Sequence, residues 1–260
     1  MTIATPVLYK VADGVATITL NRPDQMNTFD EAMFDGLNRA IARFRADDDA
    51  RVVILTASGD RAFSAGLDVK AGNALVQSGD MSRQERFECD FLDSDLGGKP
   101  VILTAFGHCV GQAVALAAWA DIRIAATGTR FSLPEAQLGI SAVSLPGLLV
   151  DLIGSAQAAY MLLYGGQLEA DWALRSGFVH EVVPPEALME RAHAVARTMV
   201  GQAPMALQAH KQLLRAARTT PRAELLHMGE AFRQQTLTSE DFREGLRAFI
   251  EKRRPVFVGR

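Results

Sequence analysis

The chain has 260 residues, 48% apolar and 22% charged, the proportions of an ordinary folded globular protein rather than a disordered one. Its 27 basic and 30 acidic residues leave a formal net charge of −3, which gives no electrostatic support for nucleic acid or an anionic membrane as a partner. The two cysteines, Cys89 and Cys109, are too few and too isolated for a disulfide framework or a CxxC zinc site, so a reducing, cytoplasmic setting without a metal is expected.

The opening residues Met1-Thr2-Ile3-Ala4-Thr5-Pro6 lack the charged-then-apolar order of a signal segment, and the apolar run over 110–120 is too short to span a bilayer. Residues 15–20 read as a strand, ended by Asn21-Arg22-Pro23-Asp24. From Asp30 onward, Met33, Phe34, Leu37, Ile41 and Phe44 recur at helical spacing. Asp47-Asp48-Asp49 makes a polar break before a buried strand over 52–56. Ala62-Phe63-Ser64-Ala65-Gly66-Leu67-Asp68 then forms a turn of small residues that opens one helix, and 81–96 forms a second, more polar one carrying Met81, Phe87 and Phe91 as core or pocket wall. A strand over 101–106 leads through Phe106-Gly107-His108-Cys109-Val110-Gly111-Gln112-Ala113 into a helix over 111–119, followed by a strand over 122–125. Such strand–turn–helix units require parallel crossovers and an α/β fold. Beyond Val182-Val183-Pro184-Pro185 the pattern predicts four helices, over 186–200, 204–217, 221–237 and 239–250, with no strand between them. The division expected is a core over 1–200 and a helical region over 201–260.

Three features point to chemistry. Each of the two turns can offer a backbone N–H to one oxygen, and Leu133-Pro134-Glu135 adds a single acid to an apolar run. A thioester carbonyl gains negative charge when its α-carbon loses a proton or its β-carbon is attacked. Fixed N–H donors, one of them backed by a helix N-terminus, stabilise that charge without reorganising. The plainer reading of Glu135 is an acid in a first helical turn, complementing the dipole. Asp68 and Asp121 are expected to fix their own turns by side-chain-to-backbone bonds.

The ordered set of Asn21-Arg22-Pro23 with Met26-Asn27, Ala62-Phe63-Ser64-Ala65-Gly66-Leu67-Asp68-Val69-Lys70, the Gly107…Gly111 turn with Ala120-Asp121-Ile122-Arg123, and Phe131…Pro134-Glu135 with Leu138-Gly139-Ile140 resembles the crotonase superfamily. That superfamily comprises the enoyl-CoA hydratases and isomerases, and the likeness runs on to Glu251-Lys252-Arg253-Arg254-Pro255-Val256-Phe257. The resemblance implies a spiral of repeated ββα units with C-terminal helices that form a homotrimer, often a dimer of trimers. It implies an acyl-CoA thioester substrate, with coenzyme A part of the substrate and no separate cofactor. Carried over by position, the N–H groups of Leu67 and Gln112 form the oxyanion hole, and Ala65, Gly66, Leu67, Asp68, Val69 and Lys70 line the bound CoA. Lys70, Lys252 and Arg253 are candidates to meet its phosphates.

The chain also departs from the family pattern. Of the two hydratase glutamates the later falls on Glu135, but the earlier falls on Ala115, and a third carboxylate used by some relatives falls on Val143. Gln112 stands where glycine is usual, and 141–147 replaces a glycine-rich loop. One acid suits double-bond isomerisation better than efficient hydration. Two rivals stay open: a non-catalytic acyl-CoA-binding protein, and an α/β-hydrolase in which Gly107-His108-Cys109-Val110-Gly111 is a nucleophile elbow. The second would need Asp151 or Asp171 with His180 or His227 as partners to Cys109.

Overall fold

The computed structural model describes residues 5–79, 89, 96–142 and 145–260. The helix expected over 81–96 lies outside them apart from Cys89 and Leu96, as do Met81, Phe87, Phe91 and Val143. In chain order the described strands are β1 (Val7–Ala12), β2 (Val15–Leu20), β3 (Val52–Ala57), β4 (Ala62–Ser64), β5 (Val101–Ala105), β6 (His108–Val110), β7 (Ile122–Ala126), β8 (Arg130–Ser132), β9 (Leu168–Glu169) and β10 (Glu181–Val183). The α-helices are α1 (Glu31–Ala46), α2 (Val69–Ser78), α3 (Gln112–Trp119), α4 (Leu145–Tyr164), α5 (Ala170–Arg175), α6 (Leu188–Val200), α7 (Pro204–Ala216), α8 (Arg222–Leu237) and α9 (Glu240–Glu251).

The strands form two sheets. The larger runs β1-β2-β3-β5-β7-β10, antiparallel only at the β1–β2 hairpin, where Asp13 and Gly14 both take positive φ (51° and 76°). Its centre is apolar on both faces, as a covered parallel strand requires. Val53, Leu55, Leu103 and Ala105 face α1, where Met33, Phe34, Leu37, Ile41 and Phe44 are buried as their spacing predicts. Val52, Ile54, Ile102 and Ile124 face the other way, against Leu188, Ala192 and Ala196 of α6. The first of the four C-terminal helices therefore closes the sheet.

The smaller sheet, β4-β6-β8-β9, was not legible in the sequence. Three-residue strands are too short to show a period of two, so Ala62–Ser64 and His108–Val110 read as parts of turns. Each leaves a long strand of the first sheet and joins the second before a helix or 3-10 turn: β3 to β4, β5 to β6, β7 to β8. This is the repeated ββα arrangement of the crotonase fold. Its consequence is local: β4 pairs with β6 (Ala62↔His108, Ser64↔Cys109), so the two turns that follow them lie side by side.

Helix α4 is apolar and 20 residues long, yet Gly154 interrupts it with non-helical backbone (φ 73°, ψ 161°). Each half is too short to cross a bilayer, and Leu145, Leu149, Ile153, Ala158 and Met161 pack inward. Helix α7 is tied to the core by a buried cation. Lys211 Nζ donates to Asp121 Oδ2 (2.7 Å) and to the Lys99 carbonyl (2.7 Å). Asp121 also accepts from the Val101 N–H (2.7 Å), so it secures the start of β5 and the docking of α7 rather than its own turn. On α8 and α9, Leu226, Phe242, Leu246, Phe249 and Ile250 are exposed.

Candidate active site

The first turn is built around one parallel bridge. The Phe29 N–H donates to the Gly66 carbonyl (2.8 Å) and the Asp68 N–H to the Phe29 carbonyl (2.8 Å), which registers Leu67 opposite Phe29. In a parallel bridge the bonds come from the residues on either side, so the N–H of Leu67 points away and has no partner among the described residues. Gly66 has φ +86°, and a Cβ there would sit 2.9 Å from the Val110 carbonyl oxygen; only glycine lets this turn lie against the second one. Asp68 caps α2, accepting from the N–H groups of Lys70 (3.0 Å) and Ala71 (3.2 Å), as expected from the sequence. Val69 and Lys70 are exposed at the start of that helix.

The second turn leaves a helix end open. Gly107 and Gly111 both have φ +55°, and a Cβ on Gly107 would fall 2.0 Å from the Arg61 carbonyl oxygen. Gly111 donates to the Ser132 carbonyl (3.0 Å) and accepts from Val114 (2.8 Å) and Ala115 (3.1 Å). It has no side chain with which to cap α3. The N–H groups of Gln112 and Ala113 consequently have no partner among the described residues. Since α3 is buried from Ala113 to Trp119, its positive end is aimed into the site from inside the core.

Glu135 begins a 3-10 turn (Glu135–Leu138) directly after Pro134, its carbonyl accepting from the Ile140 N–H (3.0 Å). Its carboxyl lies at the open end of α3: a Cβ on Gly111 would stand 3.0 Å from Oε1. The other oxygen, Oε2, is buried and has no hydrogen-bond partner among the described residues. Desolvation pushes this carboxyl above the ordinary carboxylate range, a hydrogen bond to its own main chain opposing in part. Gln137 Nε2 donates to the Gly165 carbonyl (2.9 Å) and pins the turn that carries it.

The profile of the enoyl-CoA hydratase/isomerase family matches residues 10–260. The chain belongs to the enoyl-CoA hydratase/isomerase family. Among its relatives, (E)-benzylidenesuccinyl-CoA hydratase of Thauera aromatica is 34% identical over 259 residues, covering 98% of this chain and 99% of that one. Carnitinyl-CoA dehydratase of Citrobacter koseri is 35% identical, covering 95% of each. The crystal structure of an enoyl-CoA hydratase/isomerase from Mycobacterium paratuberculosis superposes with a TM-score of 0.88 at 30% identity, over 98% of this chain and 99% of its own.

Within this enoyl-CoA hydratase/isomerase framework, Ala65, Gly66, Leu67, Asp68, Gln112 and Glu135 lie on adjoining turns, with Ala115 as a buried methyl group one turn into α3. Two expectations are corrected. Cys109 is fully buried in β6 and burial pushes its thiol up, so it is no exposed, activated nucleophile. His180 is no triad base either, because its Nδ1 accepts from the Arg123 N–H (3.1 Å). Arg253, a candidate for CoA phosphate, is engaged by Glu244 (2.5 Å) and Glu251 (2.6 Å) of its own tail. One participant was missed: the Gln112 side chain reaches Cys89, with Nε2 3.2 Å from Sγ. Its only signal was a long polar residue where glycine is usual.

Proposed function

We propose that this CoA-thioester enzyme isomerises 3-enoyl-CoA to 2-enoyl-CoA with Glu135 as its single proton carrier. The N–H groups of Leu67 and Gln112 hold the thioester oxygen, and CoA runs along 65–70. Glu135, ionised, takes the proton from C2; the electron pair moves onto the carbonyl oxygen between the two donors. The dienolate then collapses, the double bond forms between C2 and C3, and Glu135 returns the proton at C4. Loss of one such donor typically costs about 3–4 kcal/mol, so the hole is the largest single contribution. The observation that carries this reading is the buried Oε2 of Glu135 at the open end of α3, without a hydrogen-bond partner among the described residues.

Water addition to 2-enoyl-CoA is the second reading, favoured by the hydratase and dehydratase names of the relatives. There Glu135 activates the water, and the same hole holds the enolate. Both readings are tested by Glu135→Gln assayed on 3-enoyl- and 2-enoyl-CoA. We expect CoA-ester binding to persist and turnover to fall by roughly a hundredfold or more. Retained turnover refutes the role of Glu135. Tight binding with no turnover by the unaltered protein points instead to a non-catalytic acyl-CoA-binding protein. We also propose association into trimers through the exposed apolar residues of α8 and α9; a monomer in light scattering would refute it.

A further inference from the structure

We propose that Arg123 is a positioning residue for the reaction: its buried guanidinium anchors the inner end of α3 and cancels the negative pole there, so that the outer end keeps its full hold on the thioester oxygen. This rests on the reading above that the Gln112 N–H holds that oxygen. Helix α3 is unlike at its two ends. At the start, Gly111 brings no side chain to the open N–H groups. At the finish, two arginines collect the last carbonyls. Arg123 Nη1 donates to those of Ala120 (2.5 Å) and Ala117 (3.4 Å), and Arg215 Nη2, from α7, to that of Trp119 (3.5 Å). Arg123 Nε also donates to the Phe178 carbonyl (2.5 Å), so one guanidinium ties α3 to the segment between α5 and β10. The Arg123 main chain is fixed in β7 by His180, donating to its Nδ1 (3.1 Å) and accepting from its N–H (2.9 Å).

Arg123 is only 4% exposed, and its guanidinium hydrogen bonds go to main-chain carbonyls. Asp121 favours the cation electrostatically but uses its own hydrogen bonds on Lys211 and the Val101 N–H. Burial pulls the guanidinium down to about 10, so it is still charged at neutral pH. Neutral donors would satisfy these carbonyls without the desolvation cost of a buried charge. The charge does what a neutral donor does not: it offsets the negative end of the helix dipole and leaves the positive end unopposed. The eight residues of α3 put its ends about 12 Å apart. The helix is buried from Ala113 to Trp119, so solvent screening along it is weak. A unit charge at that range changes the stability of a developing oxyanion by roughly a factor of ten.

The test reads the substrate carbonyl directly. Butyryl-CoA labelled with carbon-13 at C1 is bound to each protein, and its carbonyl stretch is followed by infrared difference spectroscopy. In the unaltered protein the band should move to lower frequency, because the two N–H donors polarise the carbonyl. Arg123→Met should shrink that displacement and lower kcat on the preferred CoA ester roughly tenfold, with KM changed by less than about threefold. Arg123→Lys, which keeps the charge, should restore most of both. If Arg123→Met does not fold, Arg215→Met decides in its place, with a smaller shrinkage and a loss in kcat of about threefold. An unchanged carbonyl band in the deciding methionine variant overturns the proposal and leaves the oxyanion-hole reading standing. So does a folded Arg123→Lys that loses as much as Arg123→Met. If the band does not move in the unaltered protein, the oxyanion-hole reading falls and this one with it.

Discussion

The two turns that meet at the site solve the same problem in opposite ways. Both carry a short strand into a helix, and both depend on a glycine with positive φ. At the first, Asp68 occupies the N–H groups at the start of α2, so the open donor is Leu67, one residue before the cap. At the second, Gly111 offers no cap, and the first N–H groups of α3 stay open. One turn fixes a donor by spending the helix end on a side chain; the other makes the helix end itself the donor. On the function proposed above, a capped helix beside an uncapped one supplies the two donors to the thioester oxygen from different origins.

The contrast can be broken at the first turn. Gly66→Ala forces a Cβ to within 2.9 Å of the Val110 carbonyl at a φ that disfavours side chains. Displacing the Leu67 N–H by even about 1 Å should lower kcat/KM roughly a hundredfold, measured with the preferred CoA ester; near-normal activity would show that the turns need not touch. Asp68→Ala removes the cap together with the Arg22 ion pair (3.6 Å) and the Thr28 hydroxyl contact (3.4 Å). It should cost about 1 kcal/mol in urea unfolding, with KM for the CoA ester rising more than kcat falls.

The smallest effect sharpens the role of Glu135. Because its carboxyl is raised in the folded protein relative to the unfolded chain, its contribution to stability is intact at low pH. That contribution is lost as pH climbs from the ordinary carboxylate range through the raised value. Glu135→Gln removes this loss, so its melting temperature should exceed that of the unaltered protein by about 1–3 °C at neutral pH and match it in strong acid. A lower melting temperature at neutral pH would mean that Glu135 has a stabilising partner after all. By the same sign, the acid limb of the rate profile should lie above the usual carboxylate range.

Much was legible beforehand where the signal is periodic. The spacing of Met33, Phe34, Leu37, Ile41 and Phe44 gave α1, and the four C-terminal helices appear within two residues of their expected ends. A resemblance carried by ordered motifs gave Leu67, Gln112 and Glu135 as candidates, and the absence of an acid at Ala115 could be read directly. Asp121 could not be. Its partners, Val101 and Lys211, lie 20 and 90 residues away, and local sequence says nothing of who arrives.

Residue order alone thus determined the helical faces, the apolar strands and the kinds of side chain on hand for chemistry, because those depend on neighbours within a few positions. Tertiary structure decided which of those groups keep a vacancy. Glu135 and Asp121 are both single acids in apolar surroundings, and only the packing of distant elements gives Asp121 a buried lysine and leaves the inner oxygen of Glu135 without a partner among the described residues. Hydrogen bonds are short-ranged, so whether a polar atom is satisfied is settled by what the fold brings within about 3 Å.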